Sequence, residues 1–170
     1  MASDFFLQIE GIKGESADHR CKDQCEILSF GWGCSQPAVA TASSSGAISG
    51  ERAELGDLKV VKLLDKASPQ LMLACASGKH LPHAVLTLHR AQGDKTEYMR
   101  YVLEDVLISS YSVSGSGSAA EPVPMEEFSL NYTKISFVYT KSDKTGLKVG
   151  RHVGGWSRAE NKAYLSERCR

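Results

Sequence analysis

At 170 residues with 42% hydrophobic side chains, the chain is sized for one domain with a real core. Its 20 acidic and 20 basic residues cancel, which excludes a nucleic-acid protein relying on bulk positive charge. No run nears the roughly 18 apolar residues of a membrane span, so membrane insertion is excluded too.

The start, Met1-Ala2-Ser3-Asp4, has neither the basic nor the apolar region of a secretory signal. The expectation is synthesis in the cytoplasm, and any exit from the cell by a route without a cleavable signal. The first strand follows, with Phe5, Leu7 and Ile9 alternating. Five cysteines (Cys21, Cys25, Cys34, Cys75, Cys169) are an odd set and are expected as free thiols. A second strand puts Leu28, Phe30, Trp32 and Cys34 on one face. Ile27, Ser29, Gly31 and Gly33 fall on the other, small enough for something to pack closely.

Gln36 to Gly56 is long and rich in Ser, Ala and Gly; structureless loops of that length are usually functional or disordered. Ser68 at the N-cap, Pro69 in the first turn and Gly78 as the left-handed stop predict a short helix. Such a helix is too short to be stable unless it packs on the sheet. Alternation predicts further strands at 83–89, 96–109 and 128–139, with a β-bulge at the phase slip near Thr133-Lys134. Ser112 to Ala120 predicts a flexible connection. Ser157-x-x-Glu160 has the spacing of a helix capping box, an extended tail being the other reading. The fold class is mostly β, a small barrel or two-sheet sandwich of seven or eight strands with one short α-helix. Residues 1–157 form a single domain and 158–170 a basic tail.

Residues 1–140 hold 17 acids and 12 bases, whereas 141–170 hold three acids and eight bases. Opposite charge at two regions suits head-to-tail contact between copies; a solvated basic tail is the alternative.

The familiar chemistries fail. Neither a nucleophile elbow, a P-loop nor a dinucleotide fingerprint occurs. Cys75 near His80 and His83 is better read as a small buried hydrophobe than as a nucleophile. His19, Cys21 and Cys25 offer zinc-type ligands, but no paired C-x2-C unit supports them. The adjacent carboxylates Glu104-Asp105 point to opposite faces of a strand. Arg151, Trp156, Arg158, Lys162 and Tyr164 mix basic and aromatic groups, yet fit an ordinary closing segment. The reading assigns no catalytic residue, no metal and no cofactor.

Several segments in order resemble one family. They are Phe6-Leu-Gln-Ile-Glu-Gly-Ile-Lys-Gly-Glu-Ser16, Ile27 to Gly33, Ser35-Gln36-Pro37, Asp65 to Leu71, Ala74 to Lys79, Gly155-Trp156 and Asn161-Lys162. Together they resemble the haemolysin-coregulated (Hcp) proteins of bacterial type VI secretion, whose rings resemble those of phage tail tubes. The resemblance implies a homohexameric ring that stacks on itself into a tube, with spike, sheath and small effector proteins as partners. On that expectation Ser43, Ser44, Ser45, Gly46, Glu51, Arg52 and Glu54 form a ring-stacking loop. Ile27, Ser29, Gly31 and Gly33 then face the lumen. The alternative is a monomeric effector-binding or adaptor module of the same pathway.

Overall fold

The computed structural model describes residues 3–40, 48–90, 96–117, 123–143, 145 and 147–169. Its strands are β1 (Ser3–Ile9), β2 (Cys25–Ile27), β3 (Ser29–Gly31), β4 (Cys34–Ser35), β5 (Ala38–Ala40), β6 (Ile48–Gly50), β7 (Glu54–Leu55), β8 (Leu58–Leu63), β9 (His80–Arg90), β10 (Thr96–Ser114), β11 (Met125–Ser142), β12 (Lys148–Ser157) and β13 (Lys162–Ala163). One helix, α1 (Ser68–Ser77), separates β8 from β9. The fold is mostly β with a short helix, as the alternation predicts. More strands are present than predicted because one is broken and four short ones lie between Cys34 and Leu55, so the described part of the Gln36–Gly56 region is not structureless.

The strands pair antiparallel in the order β1-β9-β10-β11, and β11 continues through β8 to β3. β2 pairs with β1 over Phe5–Leu7, and β3 pairs with β8 over Lys59–Val61. Because β2 runs into β3 at Leu28, whose amide donates to Val61 O, the sheet closes on itself as a small barrel. Its core holds Leu7, Cys25, Leu58, Val60, Leu86, Leu103, Phe128 and Leu130, each at most 1% exposed. A fully buried leucine of this kind contributes roughly 1.5–3 kcal/mol.

A crease crosses three neighbouring strands. Inward residues skip a position together: Leu81 to Ala84 on β9, Leu103 to Val106 on β10, Tyr132 to Ile135 on β11. The register runs through the crease unbroken, Glu104 facing Lys134 and His83 and Val106 facing Tyr132 and Leu81, so the expected β-bulge at Thr133-Lys134 is not there. The phase changes on all three strands at once, and no residue is inserted. Along the crease lie Pro82, which has no amide hydrogen, and Asp105, with φ +52°. The Asp105 carboxylate accepts from Thr133 Oγ1 and lies 3.1 Å from His80 Nδ1. Those contacts hold its titration below the usual carboxylate range. The one-residue register shift between β10 and β11 occurs instead at Ser109.

Helix α1 starts at Ser68, with Ala67 at the N-cap and no side-chain cap. Ser68 is displaced from the expected cap because its hydroxyl is used elsewhere: it accepts from Asp65 N and donates to Glu126 Oε1 at 3.0 Å each. Asp65 takes over, accepting from Ala67 N at 2.8 Å. Gly78 ends the helix in the left-handed conformation (φ +61°), as expected. Leu71 and Ala74 seat the helix on the core.

Under the helix sits a buried ionic cluster. Lys62 is fully buried, 2.6 Å from Asp65 Oδ1 and paired with Glu126. Tyr111 Oη donates to Glu126 Oε2 at 2.6 Å. Burial opposes the Lys62 charge, but Asp65 and Glu126 outweigh it and raise its titration above the ordinary lysine value. Burial, helped by Glu126, pushes Tyr111 up to about 12.

The C-terminal segment is docked on the barrel. Ser157 Oγ accepts from Glu160 N at 3.3 Å, the expected capping contact. The turn stops at Asn161 (φ +50°) and leads into β13 instead of an α-helix, and a single 3-10 turn, Glu167–Cys169, comes only after that strand. Tyr164 and Ser166 hydroxyls donate to Glu104 at 2.7 and 2.5 Å. Cys169 is buried in a second apolar cluster with Val85, Val102 and Val138.

Candidate assembly surfaces

Residues 34–40 and 48–55 build an arm. β4 pairs with β7 and β5 with β6, and among the described residues neither ribbon joins the barrel sheet. Two-stranded ribbons are marginal in water by themselves, so the base matters. Tyr132 clamps it: its phenol accepts from Trp32 Nε1 at 2.6 Å and donates to Gly56 O at 2.8 Å. Gly56 N in turn donates to Gly33 O. Arg52 donates to the Arg158 carbonyl. The Arg158 guanidinium lies over the Tyr132 ring and donates to Tyr132 O at 2.9 Å. Thus both flanks of the arm are anchored through one tyrosine.

The expected stacking residues divide across this arm. Glu51 and Glu54 are exposed near its base beside Arg52. Ser43, Ser44, Ser45 and Gly46 lie outside the described residues.

The expected lumen set is not one face. Ser29, Gly31 and Gly33 are exposed, and a Cβ on Gly31 or Gly33 would meet nothing within 4 Å. Ile27, by contrast, is buried in the core at 7% exposure. The bend at Leu28 breaks the two-residue period, turning Ile27 inward and Leu28 out. That corrects the Ile27 assignment.

Two further surfaces had no clear sequence signal. The first is β12. One edge pairs with β11, while β13 covers the other only at Trp156–Ser157. Residues 148–154 therefore form the free edge of the sheet among the described residues. Leu147, Val149 and Val153 are 67%, 58% and 51% exposed along it, with Lys148 and Arg151. The second is a cleft of about 630 Å³ where β1 and β8 diverge around Leu28. Asp4, Glu15, Glu26 and Asp65 line it with Leu28 and Leu63.

Among the described residues, the side chains considered for zinc form no group of three that could hold a metal ion. His19 is exposed beside Asp18, and the Cys21 sulfur is 3.8 Å from His89. Cys25 is buried, which pushes its thiol up to about 12.

A family model described as "Type VI secretion system effector, Hcp" matches residues 6–139. The chain belongs to the Hcp family. It is 36% identical over 163 residues to protein hcp1 of Pseudomonas aeruginosa, covering 95% of this chain and 98% of that protein. The crystal structure of Hcp1 from Salmonella typhimurium superposes with a TM-score of 0.79 at 32% identity, over 96% of this chain and all of that one. The structure of a type six secretion system protein gives a TM-score of 0.89 at 29% identity, over 96% of this chain and all of that one. Hcp is a family of structural, secreted type VI proteins and not of enzymes. Among the described residues no helix is long and apolar enough to cross a membrane.

Proposed function

We propose that the chain is the repeating subunit of the type VI inner tube. Six copies join edge to edge as a ring, and rings stack into a tube that leaves the cell with effectors or carrying them. Spike and sheath proteins are its partners at the tube's end and outer wall. Export needs no cleavable signal in this reading, since the subunit leaves as part of the assembly.

The observation that carries the reading is the arm: a ribbon anchored at its base through Tyr132 and outside the barrel sheet. A ribbon of this kind gains stability when another copy covers it. The free β12 edge supports the same reading, because an apolar sheet edge invites pairing with another chain. A heterologous contact of that sort closes into a ring or runs on as a filament.

Light scattering on the purified protein tests it. The expected mass is near six times the 18.5 kDa of one chain, with stacked rings visible by electron microscopy at higher concentration. A stable single-chain mass at all concentrations overturns the ring and favours the monomeric adaptor.

A further inference from the structure

Two surfaces of the barrel carry complementary chemistry. The cleft at the Leu28 seam is lined by the carboxylates of Asp4, Glu15 and Glu26 together with Asp65, whose charge is already paired with buried Lys62, and among the described residues no basic side chain lines it. Leu28 and Leu63 supply exposed apolar surface there. The free edge of β12 has the opposite sign, with Lys148 and Arg151 between exposed Leu147, Val149 and Val153.

Their backbones suit each other as well. β1 and β8 part at the seam because each pairs with only one half of the bent β2–β3 segment. β12 from Lys148 to Gly154 offers strand hydrogen-bonding groups that its own chain does not use among the described residues. An extended strand laid beside such a seam gains backbone hydrogen bonds, buried apolar area and opposite charge together.

We infer that the acidic seam of one copy seats the basic β12 edge of the next. The contact is heterologous, since the two surfaces lie on different strands. It therefore uses each surface once per copy and leaves none over when a ring closes. This inference rests on the ring reading and names the two surfaces that join neighbours within a ring. The arm is left for contacts outside that joint.

Charge exchange tests it at two exposed positions, Glu26 and Lys148. The variants Glu26→Lys and Lys148→Glu, their double variant and an equal mixture of the two single variants are compared with the unmodified protein by light scattering across a dilution series. Circular dichroism checks that each variant is folded. Each single variant alone is expected to raise the half-assembly concentration by about tenfold or more, because like charges then face each other across every joint. The double variant and the mixture are expected to assemble again, the mixture as rings of alternating copies. A fold defect cannot produce that recovery. If the unmodified protein assembles and the single variants match it, the seam–edge joint is wrong while the ring stands. Loss without recovery in the double variant and the mixture also overturns the joint. An unmodified protein that never assembles overturns the ring reading itself.

Discussion

Lys62 Nζ lies 2.6 Å from Asp65 Oδ1 with its side chain wholly out of solvent, and Glu126 completes the cluster from β11. The three groups join the end of β8, the turn before α1 and the sheet beneath it. Removing one partner leaves an uncompensated charge in the interior, which costs about 3–5 kcal/mol. Lys62→Met is therefore expected to lower stability by that amount in urea titration. Adding Glu126→Leu to it should recover part of the loss, because the second charge then goes as well. A double variant weaker than either single one would show that the cluster acts by packing alone.

Alkaline pH acts on the same region. Cys25, Tyr111 and Lys62 all titrate above their ordinary values in the folded chain. Their contribution is complete below the ordinary values, because folded and unfolded chains then hold the same protons. It falls as the unfolded chain alone releases protons. Stability should decline between pH 9.0, the ordinary value for the Cys25 thiol, and about 12. Cys25→Ala should flatten the early part of that decline. A flat urea midpoint across this window would contradict the buried placement of these groups.

Asp105 holds a left-handed backbone (φ +52°) at the crease. Asp and Asn tolerate that conformation, whereas β-branched residues resist it. Asp105→Val is expected to cost about 1–3 kcal/mol. Asp105→Asn should stay close to the parent protein in thermal unfolding, and equal loss in both variants would place the effect in the side-chain contacts instead of the backbone.

Tyr132 governs the arm through one hydroxyl. Tyr132→Phe should keep the barrel, costing about 1–3 kcal/mol for the two orphaned partners, and should speed amide exchange at Gly33 and Gly56. Deleting residues 40–49 should leave single rings and abolish tubes. Tubes that persist by electron microscopy would remove the arm as the connector between rings.

Gly31 is exposed with open space around it. Gly31→Trp should therefore spare folding and assembly, and reduce effector co-purification if this surface lines the lumen. Unchanged co-purification would move the cargo surface elsewhere.

Strands such as β1 and β9 were legible from alternation, and α1 from Pro69 and Gly78. What hid β8 was Lys62, a charged residue at an inward position whose partners come from other segments. What hid β12 was its glycines: Gly154 has no side chain where the Phe137 ring packs, and Gly155 none where the Tyr164 and Ile135 carbonyls approach. No local pattern reports such packing. The assembly surfaces were obscure for a related reason. The seam exists only because Leu28 bends the chain, and its four acids come from separated stretches of sequence.

The crease has a consequence for how this sequence can change length. Above and below the line through Pro82, Asp105 and Thr133, the same strands present opposite parities of residue to the core. A single deletion within one half of β10 would invert only the residues between the cut and the nearest strand end, while the far half kept its phase. Each long strand is thus two separately phased modules, and tolerated insertions and deletions in relatives should collect at the crease and at the strand tips.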